Sequence, residues 1–207
     1  MAKKSTKQIS PSTVAQNTAL DLAVSMGWRN VSMTDIAEAS GLALADLLRL
    51  YPTKSAIIGG LVDRTDEAML NALPADGHKD PVRDRLFDLM MSRFDTLTGY
   101  RDGLIAVTKA ELRDPMTSLC HLIRFQRSLT LMSEAAGLST SGLIGKLRLK
   151  ALALVYANAT RVWIKDDSAD LAKTMAAVDQ GLAKAEKLAS YCWPAKHDVE
   201  GSPEPAT

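Results

Sequence analysis

The sequence predicts an all-α protein. Apolar residues recur every three or four positions along most of the chain, and no stretch shows the sustained alternation, rich in β-branched and aromatic residues, that is typical of strands. Serine, threonine or proline precedes several of the apolar runs and glycine follows several, as expected where helices begin and end. Because 46% of the 207 residues are apolar, the chain can bury a substantial core in one or two domains.

The N-terminus predicts a flexible arm followed by a helix. Residues 1–9 are polar and contain three lysines, which is typical of a solvated end that is able to reach a DNA backbone. Ser10 is followed by Pro11, a residue suited to the first helical position, and the apolar pattern continues to Met26 before Gly27. This first helix is expected to cover the two short helices that follow it.

Those two short helices form a helix-turn-helix pattern. Ser32 is a candidate N-cap, with Asp35 three residues later as its acidic partner, and Gly41 ends the helix. A second short helix is predicted over Leu44–Leu50. We therefore expect a helix-turn-helix module over residues 10–53. The alternative is that the motif serves packing alone.

The rest of the chain predicts a larger helical domain over residues 54–193 and a disordered polar tail over 194–207. Thr53 is a candidate cap for a long fourth helix, in which two adjacent glycines indicate a close contact or a bend. Residues 74–79 form the clearest internal boundary. Further helices are predicted from residue 80, over about 102–112, from 114 to 137, over 142–165 and over 168–189.

The last two predicted helices are apolar on two faces. One face can serve the chain's own core, and the other needs a partner, which predicts a four-helix bundle between two copies of the chain. The alternative is a larger monomeric core. The residues assigned to the dimer interface are Leu152, Tyr156, Trp163, Met175 and Leu182.

The N-terminal pattern resembles the DNA-binding module of TetR-type transcriptional regulators. The resemblance is carried by Gly27, Thr34, Ile36, Ala37, Gly41, Tyr51 and Lys54 at their spacings. It implies a TetR-like fold and a homodimer whose two recognition helices meet successive major grooves. It also implies repression of transcription that is released by a small apolar ligand.

DNA contacts are expected from the start of the first short helix, from the second short helix and from the residue that opens the fourth. These residues are Thr34, Ala43, Leu44, Ala45, Leu48, Arg49 and Lys54. The chain departs from the family pattern because its second helix is mostly apolar. The net charge of the chain is only +1, which does not indicate a nucleic-acid-binding protein. Any affinity for DNA must therefore come from a local patch of positive charge.

A second resemblance lies before and within the last predicted helix. Asp166–Asp170, Thr174, Met175 and Asp179 are similar to the C-terminal pattern of a lipid-binding family of TetR-like fold that is needed for ubiquinone biosynthesis. That family is not thought to act on DNA. The resemblance implies an alternative function, binding of a lipid or isoprenoid, and the apolar helix over Leu44–Leu50 favours it. Asp167 or Ser168 also has a plainer interpretation as the cap of the last helix.

Both resemblances imply a site for a small apolar ligand. The middle helices supply aromatic residues and methionines suited to an adaptable cavity, together with a few polar groups. The expected ligand residues are Phe87, Met90, Phe94, His121, Arg124 and Phe125. Core packing is the alternative for the apolar ones, and surface or interface positions for the polar ones.

Other classes of protein lack support in the sequence. The three histidines lie far apart, the two cysteines show no metal or redox spacing, and no glycine-rich phosphate loop follows a strand. We therefore expect a binding protein without enzymatic activity, metal or cofactor. No secretory signal or transmembrane segment is apparent, which predicts a cytoplasmic protein with reduced thiols.

Overall fold

The computed structural model describes residues 10–73, 79–111 and 114–192, and in these ranges the chain forms helices and no strand. The all-α prediction is confirmed. The predicted arm (1–9), the predicted tail (194–207) and most of the predicted boundary loop lie outside the described residues. The helices are α1 (Pro11–Leu22), α2 (Met33–Ser40), α3 (Leu44–Leu50), α4 (Lys54–Asn71), α5 (Val82–Thr98), α6 (Arg101–Glu111), α7 (Pro115–Ala135), α8 (Gly142–Trp163) and α9 (Ala172–Cys192), with one π-helical turn, Ala23–Gly27, after α1.

The N-terminal helices begin and end where the sequence predicts. The Ser32 hydroxyl accepts the backbone N–H of Asp35 at 3.1 Å, and the Asp35 carboxylate accepts the backbone N–H of Ser32 at 2.8 Å, which forms a complete capping box on α2. Gly41 ends α2 in the left-handed conformation, with φ of 69°. Thr53 caps α4 by accepting the backbone N–H of Ala56 at 3.1 Å.

The first of two hydrophobic cores belongs to the N-terminal helices but also includes parts of α4 and α6. Its fully buried members include Ala15, Ala19, Ile36, Leu47, Ile57 and Leu61, and Val107 joins them from α6. Gly103 lets α6 lie directly on α1, because a Cβ there would stand 2.6 Å from the Leu20 Cβ and 3.0 Å from its carbonyl oxygen. Helix α6 is therefore packed as part of the N-terminal unit, which consists of α1, α2, α3, the start of α4 and α6.

The second core lies among α4, α5, α7, α8 and α9, with Phe94 at its centre. The Phe94 ring stacks on Tyr156 at a centroid distance of 5.0 Å and lies 5.9 Å from the Trp163 ring. The other fully buried members include Met69, Met90, Met132, Ala159 and Val178. Because Met69 lies in the second core while the start of α4 lies in the first, α4 is shared by both.

A buried polar cluster ties four helices together inside the second core. The Asp66 carboxylate of α4 pairs with the Arg93 guanidinium of α5 and accepts the Ser128 hydroxyl of α7 at 2.6 Å. Arg93 Nε also donates to the Tyr156 hydroxyl of α8 at 3.0 Å. The two charged groups are thus paired and hydrogen-bonded, as burial demands.

Helix α9 begins at Ala172, later than the predicted start at residue 168, because Asp166 organises a turn before it. The Asp166 carboxylate accepts the backbone N–H and hydroxyl of Thr174 at 2.8 and 2.7 Å, and the backbone N–H of Ser168 at 3.2 Å. It also accepts the Ser168 hydroxyl. Leu171 closes the turn with a φ of 53°. Part of the pattern that resembles the lipid-binding family therefore has a local structural role.

Candidate nucleic-acid interface

Helix α3 stands on the surface of the N-terminal unit and is held there chiefly by one residue. Leu47 is completely buried in the first core, whereas the other residues of Leu44–Leu50 are all exposed. The capping box of α2 and the left-handed turn at Gly41 set the direction in which α3 leaves α2. The result is a helix that is free on most of its circumference, as required of one that enters a DNA groove.

The predicted contact residues fall into two groups. Six of them are exposed and lie on α2, on α3 or at the residue before α3: Thr34, Ala43, Leu44, Ala45, Leu48 and Arg49. The seventh, Lys54, is half-buried and lies at the start of α4.

Lys54 holds the loop that precedes α2. Its Nζ donates to the carbonyl oxygens of Trp28 at 2.8 Å and Val31 at 2.6 Å, and it lies 4.9 Å from the centroid of the Trp28 ring. Burial lowers the pKa of Lys54, and the carboxylates of Glu111 and Asp35 oppose that shift. A phosphate contact by this amine therefore competes with two hydrogen bonds inside the unit.

The exposed face of α3 carries both charge and apolar surface. Arg49 pairs with Asp46 at 2.6 Å, and both side chains are largely exposed, so the pair contributes little to stability. Leu44, Leu48 and Leu50 are each about two-fifths exposed, at 39%, 42% and 44%. A leucine can contact a thymine methyl group but cannot read a hydrogen-bond pattern, and Arg49 is the only residue of α3 whose side chain donates hydrogen bonds.

Comparison with known proteins identifies the fold. A search of family models finds no match, and no curated protein matches this sequence. Among solved structures, a TetR transcriptional regulator from Nitrosomonas europaea ATCC 19718 matches with a TM-score of 0.72 and 22% identity, covering 86% of this chain and 99% of that chain. The chain has the fold of TetR transcriptional regulators.

Two further solved structures agree. A TetR transcriptional regulator from Rhodococcus sp. RHA1 matches with a TM-score of 0.61 at 16% identity, covering 84% of this chain and 94% of its own. A TetR-family regulator from Streptomyces coelicolor matches with a TM-score of 0.59 at 15% identity, covering 88% and 83%. At such identities the likeness establishes the TetR fold, and function depends on the site.

Within this TetR fold, the six predicted ligand residues lie in different surroundings. Met90 and Phe94 are completely buried core residues, and Phe87 packs against the same core. His121 pairs with Glu111 near the N-terminal unit. The guanidinium of Arg124 rests on Gly59 of α4, which explains the close contact predicted at the two adjacent glycines. A shared ligand site for all six is not formed, and their ligand role stays a prediction.

Phe125 lines an apolar groove. The groove lies between α7 and α8, opens to the surface and encloses about 430 Å³. Its apolar lining comes from Leu122, Phe125, Leu129, Leu143, Leu147, Leu149 and Ala153, with Gln126, Lys146 and Lys150 as the polar members.

The residues predicted for a dimer interface are mostly buried within one chain. Leu152, Tyr156, Trp163 and Leu182 all belong to the second core, and only Met175 is exposed, at 41%. Tyr156 and Trp163 also use their polar atoms inside the chain, since Trp163 Nε1 donates to the Thr98 hydroxyl at 3.0 Å. Of the two apolar faces of α8, the predicted one packs inward, so these four side chains offer no surface to a second copy.

The described helices include none that combines the length and apolar character needed to cross a membrane. Cys120, on α7, is exposed and carries a free thiol.

Proposed function

We propose that this chain is a DNA-binding transcriptional regulator that acts as a dimer, with α3 as the recognition helix. The observation that carries the proposal is the exposure of α3 on every side except Leu47, on a support fixed by the capping box of α2. A surface helix that served only packing would turn more than one of its apolar residues inward. Here three leucines and an arginine face solvent instead.

In this proposal Arg49 reads bases and the leucines beside it contact thymine methyl groups. Arg49 lies three residues after Asp46 and pairs with it at the surface. An exposed ion pair stabilises a protein by no more than about 1 kcal/mol, so the guanidinium can leave Asp46 for a base. An arginine in the major groove binds guanine with two hydrogen bonds, which is the most common specific contact. Lys54 supports the loop before α2 and acts on DNA affinity through the position of α2.

Selection of random-sequence duplexes at low salt tests the DNA-binding proposal. We expect the full chain to enrich a two-fold symmetric site, and Arg49→Ala to weaken binding to that site by about tenfold, or ~1.4 kcal/mol. Arg148→Ala, which removes an exposed arginine from α8, is the matched control and should bind like the parent. Failure to enrich any symmetric site, from protein that is folded, would contradict the proposal.

The dimer is proposed to form through the outward face of α8 and the adjoining face of α9. Leu143, Leu147 and Leu154 lie on one side of α8 and are 85%, 60% and 73% exposed, and Met175 of α9 is exposed as well. Large apolar side chains repeated along one helix face are typical of a surface that another protein covers. A two-fold axis here would pair the two copies of α8 and α9 and present both copies of α3 to one duplex.

Leu147→Gln is expected to weaken the dimer. A polar amide placed in an apolar interface loses hydrophobic contact and leaves hydrogen-bonding groups unpaired, so we expect the dissociation constant to rise by about tenfold or more. Sedimentation equilibrium over a range of concentrations measures it. Ile123→Gln is the matched control because Ile123, at 61% exposure, is as exposed as Leu147 but lies on α7 and does not line the groove beside Leu147. An equal shift in both variants would argue against this face.

The regulating ligand is proposed to bind in the groove between α7 and α8, against its more buried residues Phe125, Leu129 and Ala153, since its exposed residues Leu143 and Leu147 belong to the proposed dimer face. The apolar lining suits an apolar chain, and Lys146 and Lys150 suit an anionic group at one end of it. Binding there would favour one arrangement of α7 and thereby shift the spacing of the two recognition helices.

A second candidate function is the binding of a lipid or isoprenoid by a protein that has the TetR fold but does not act on DNA. The exposed Leu44, Leu48 and Leu50 favour it, because they occupy the face where a DNA reader carries polar side chains. The duplex selection separates the two functions. If no site is enriched, mass spectrometry of apolar molecules that co-purify with the folded protein becomes the deciding measurement.

A further inference from the structure

Three side chains join the N-terminal unit to α7. The Trp28 indole N–H, from the loop before α2, donates to Glu111 Oε1 at 2.8 Å. The other carboxylate oxygen of Glu111 lies 2.5 Å from Nε2 of His121 on α7, at the distance of an ion pair but without the alignment of a hydrogen bond. Glu111, at the end of α6, therefore contacts two residues that lie 83 positions before it and 10 positions after it in the chain.

The two ends of this connection belong to different cores. Trp28 is buried in the first core, where α6 is fixed against α1 by the close contact of Gly103 with Leu20. Helix α7 packs instead in the second core, through residues such as Leu129 and Met132. Glu111 thus lies where the first core, which supports α2 and α3, meets the helices of the second core, which form the groove.

Lys54 extends the connection to the start of the helix-turn-helix. Its amine binds the carbonyl oxygens of Trp28 and Val31, and Val31 immediately precedes the Ser32 cap of α2. The side chain of Glu111 is 12% exposed, and its carboxylate charge favours the charged form of Lys54. A change at Glu111 therefore reaches both groups that hold the loop before α2.

We propose that Glu111 is a positioning residue that couples the position of α7 to the helix-turn-helix, acting through Trp28 and Lys54. Leu122, a residue of the groove, directly follows His121, so a molecule that displaces this part of α7 also changes the contact between His121 and Glu111. When that contact is lost, the carboxylate loses one of the groups that fix its orientation, and its hydrogen bond to the Trp28 indole is held less firmly. This mechanism of regulation rests on the proposed function.

Amide hydrogen exchange on the full chain tests the coupling without DNA or ligand. We expect Glu111→Gln and His121→Gln each to raise exchange in residues 28–40 by about tenfold, and to leave exchange in α5 and α8 unchanged. Asp102→Asn, the same type of change at an exposed position of α6, is the matched control. A residue that only stabilises the fold would raise exchange throughout the chain instead.

A double variant tests whether His121 acts on residues 28–40 through Glu111. If they do, Glu111→Gln combined with His121→Gln should raise exchange no more than Glu111→Gln alone. Unchanged exchange in residues 28–40 for His121→Gln, or strictly additive effects, would overturn the proposal.

Binding to the selected duplex then separates this proposal from the proposed function. If the parent binds, His121→Gln is expected to change its affinity by about fivefold or more although His121 lies on α7. An unchanged affinity would overturn the coupling. If no duplex binds to any variant while exchange responds as expected, the DNA-binding proposal fails and the coupling stands.

Discussion

Replacing Asp66 by alanine is expected to lower the free energy of unfolding by about 3–5 kcal/mol. Asp66 and Arg93 are 10% and 6% exposed, so their charges are compensated by each other and by polar neighbours rather than by water. In the alanine variant the buried Arg93 guanidinium keeps, among the described residues, only its hydrogen bond to the Tyr156 hydroxyl, and the Ser128 hydroxyl loses its acceptor. The cost comes mainly from the uncompensated charge.

Urea unfolding of three variants measures this effect. Asp63→Ala is the control, since Asp63 lies on the same helix and pairs with Arg127 at 3.5 Å at an exposed position, where the loss should not exceed about 1 kcal/mol. Adding Arg93→Met to Asp66→Ala should recover part of the stability, because it removes the buried charge. Equal losses in the free energy of unfolding for Asp63→Ala and Asp66→Ala would show that the buried pair contributes no more to stability than the exposed pair.

The helices and their ends were predictable because their signals are local. The cap at Ser10, the capping box of Ser32 with Asp35, the turn at Gly41 and the cap at Thr53 each depend on residues within four positions of one another. Such contacts do not depend on the rest of the fold. The later start of α9 was missed for the opposite reason, because Asp166 reaches eight residues along the chain to Thr174.

The choice between the two apolar faces of α8 needed the tertiary structure. Periodicity shows that Leu143, Leu147 and Leu154 lie on one side and Leu152 and Tyr156 on another, but it does not show which side meets α5 and α9. In the structure the second group packs inward, and the first is exposed. The same limit applies to Lys54, whose sequence position suits a phosphate contact but whose amine binds two carbonyl groups.

The buried polar cluster left a signal in the sequence. Asp66 follows Val62 by four positions and precedes Met69 by three, so it interrupts an apolar face of α4, and Arg93 interrupts α5 in the same way between Leu89 and Leu97. A charged residue on an apolar helix face is expected to be buried, and a buried charge needs a partner. Two such residues of opposite charge on different helices therefore indicate a buried ion pair. The pairing of these two residues still required the structure, since 27 positions separate them.

Asp166→Asn is expected to reduce stability at neutral pH by about 2–3 kcal/mol. Burial raises the pKa of Asp166, but the hydrogen bonds from Ser168 and Thr174 outweigh burial and hold that pKa well below its usual range. All of these partners donate. Asparagine keeps the size of the side chain but replaces one oxygen by an NH₂ group, so a backbone N–H of Ser168 or Thr174 loses its acceptor and the hydroxyl beside it must turn to accept.

The stabilisation by Asp166 should depend on pH in a defined direction. Because its pKa is lower in the folded chain than in the unfolded chain, its contribution is complete above the unfolded value of about 3.9 and is lost as the pH falls toward the folded value. The difference in the free energy of unfolding between the parent and Asp166→Asn should therefore shrink below about pH 4. Urea unfolding at several pH values between neutrality and about pH 3 measures that difference.

Asp167→Asn is the matched control for both effects. Asp167 is the next residue, and its side chain is 97% exposed, so the same substitution there removes a charge without removing buried hydrogen bonds. We expect it to change stability by no more than about 0.5 kcal/mol at any of these pH values. If Asp166→Asn differed from the parent by the same amount at pH 7 and pH 3, the carboxylate charge would not be the source of the stabilisation, and shape alone would explain the turn before α9.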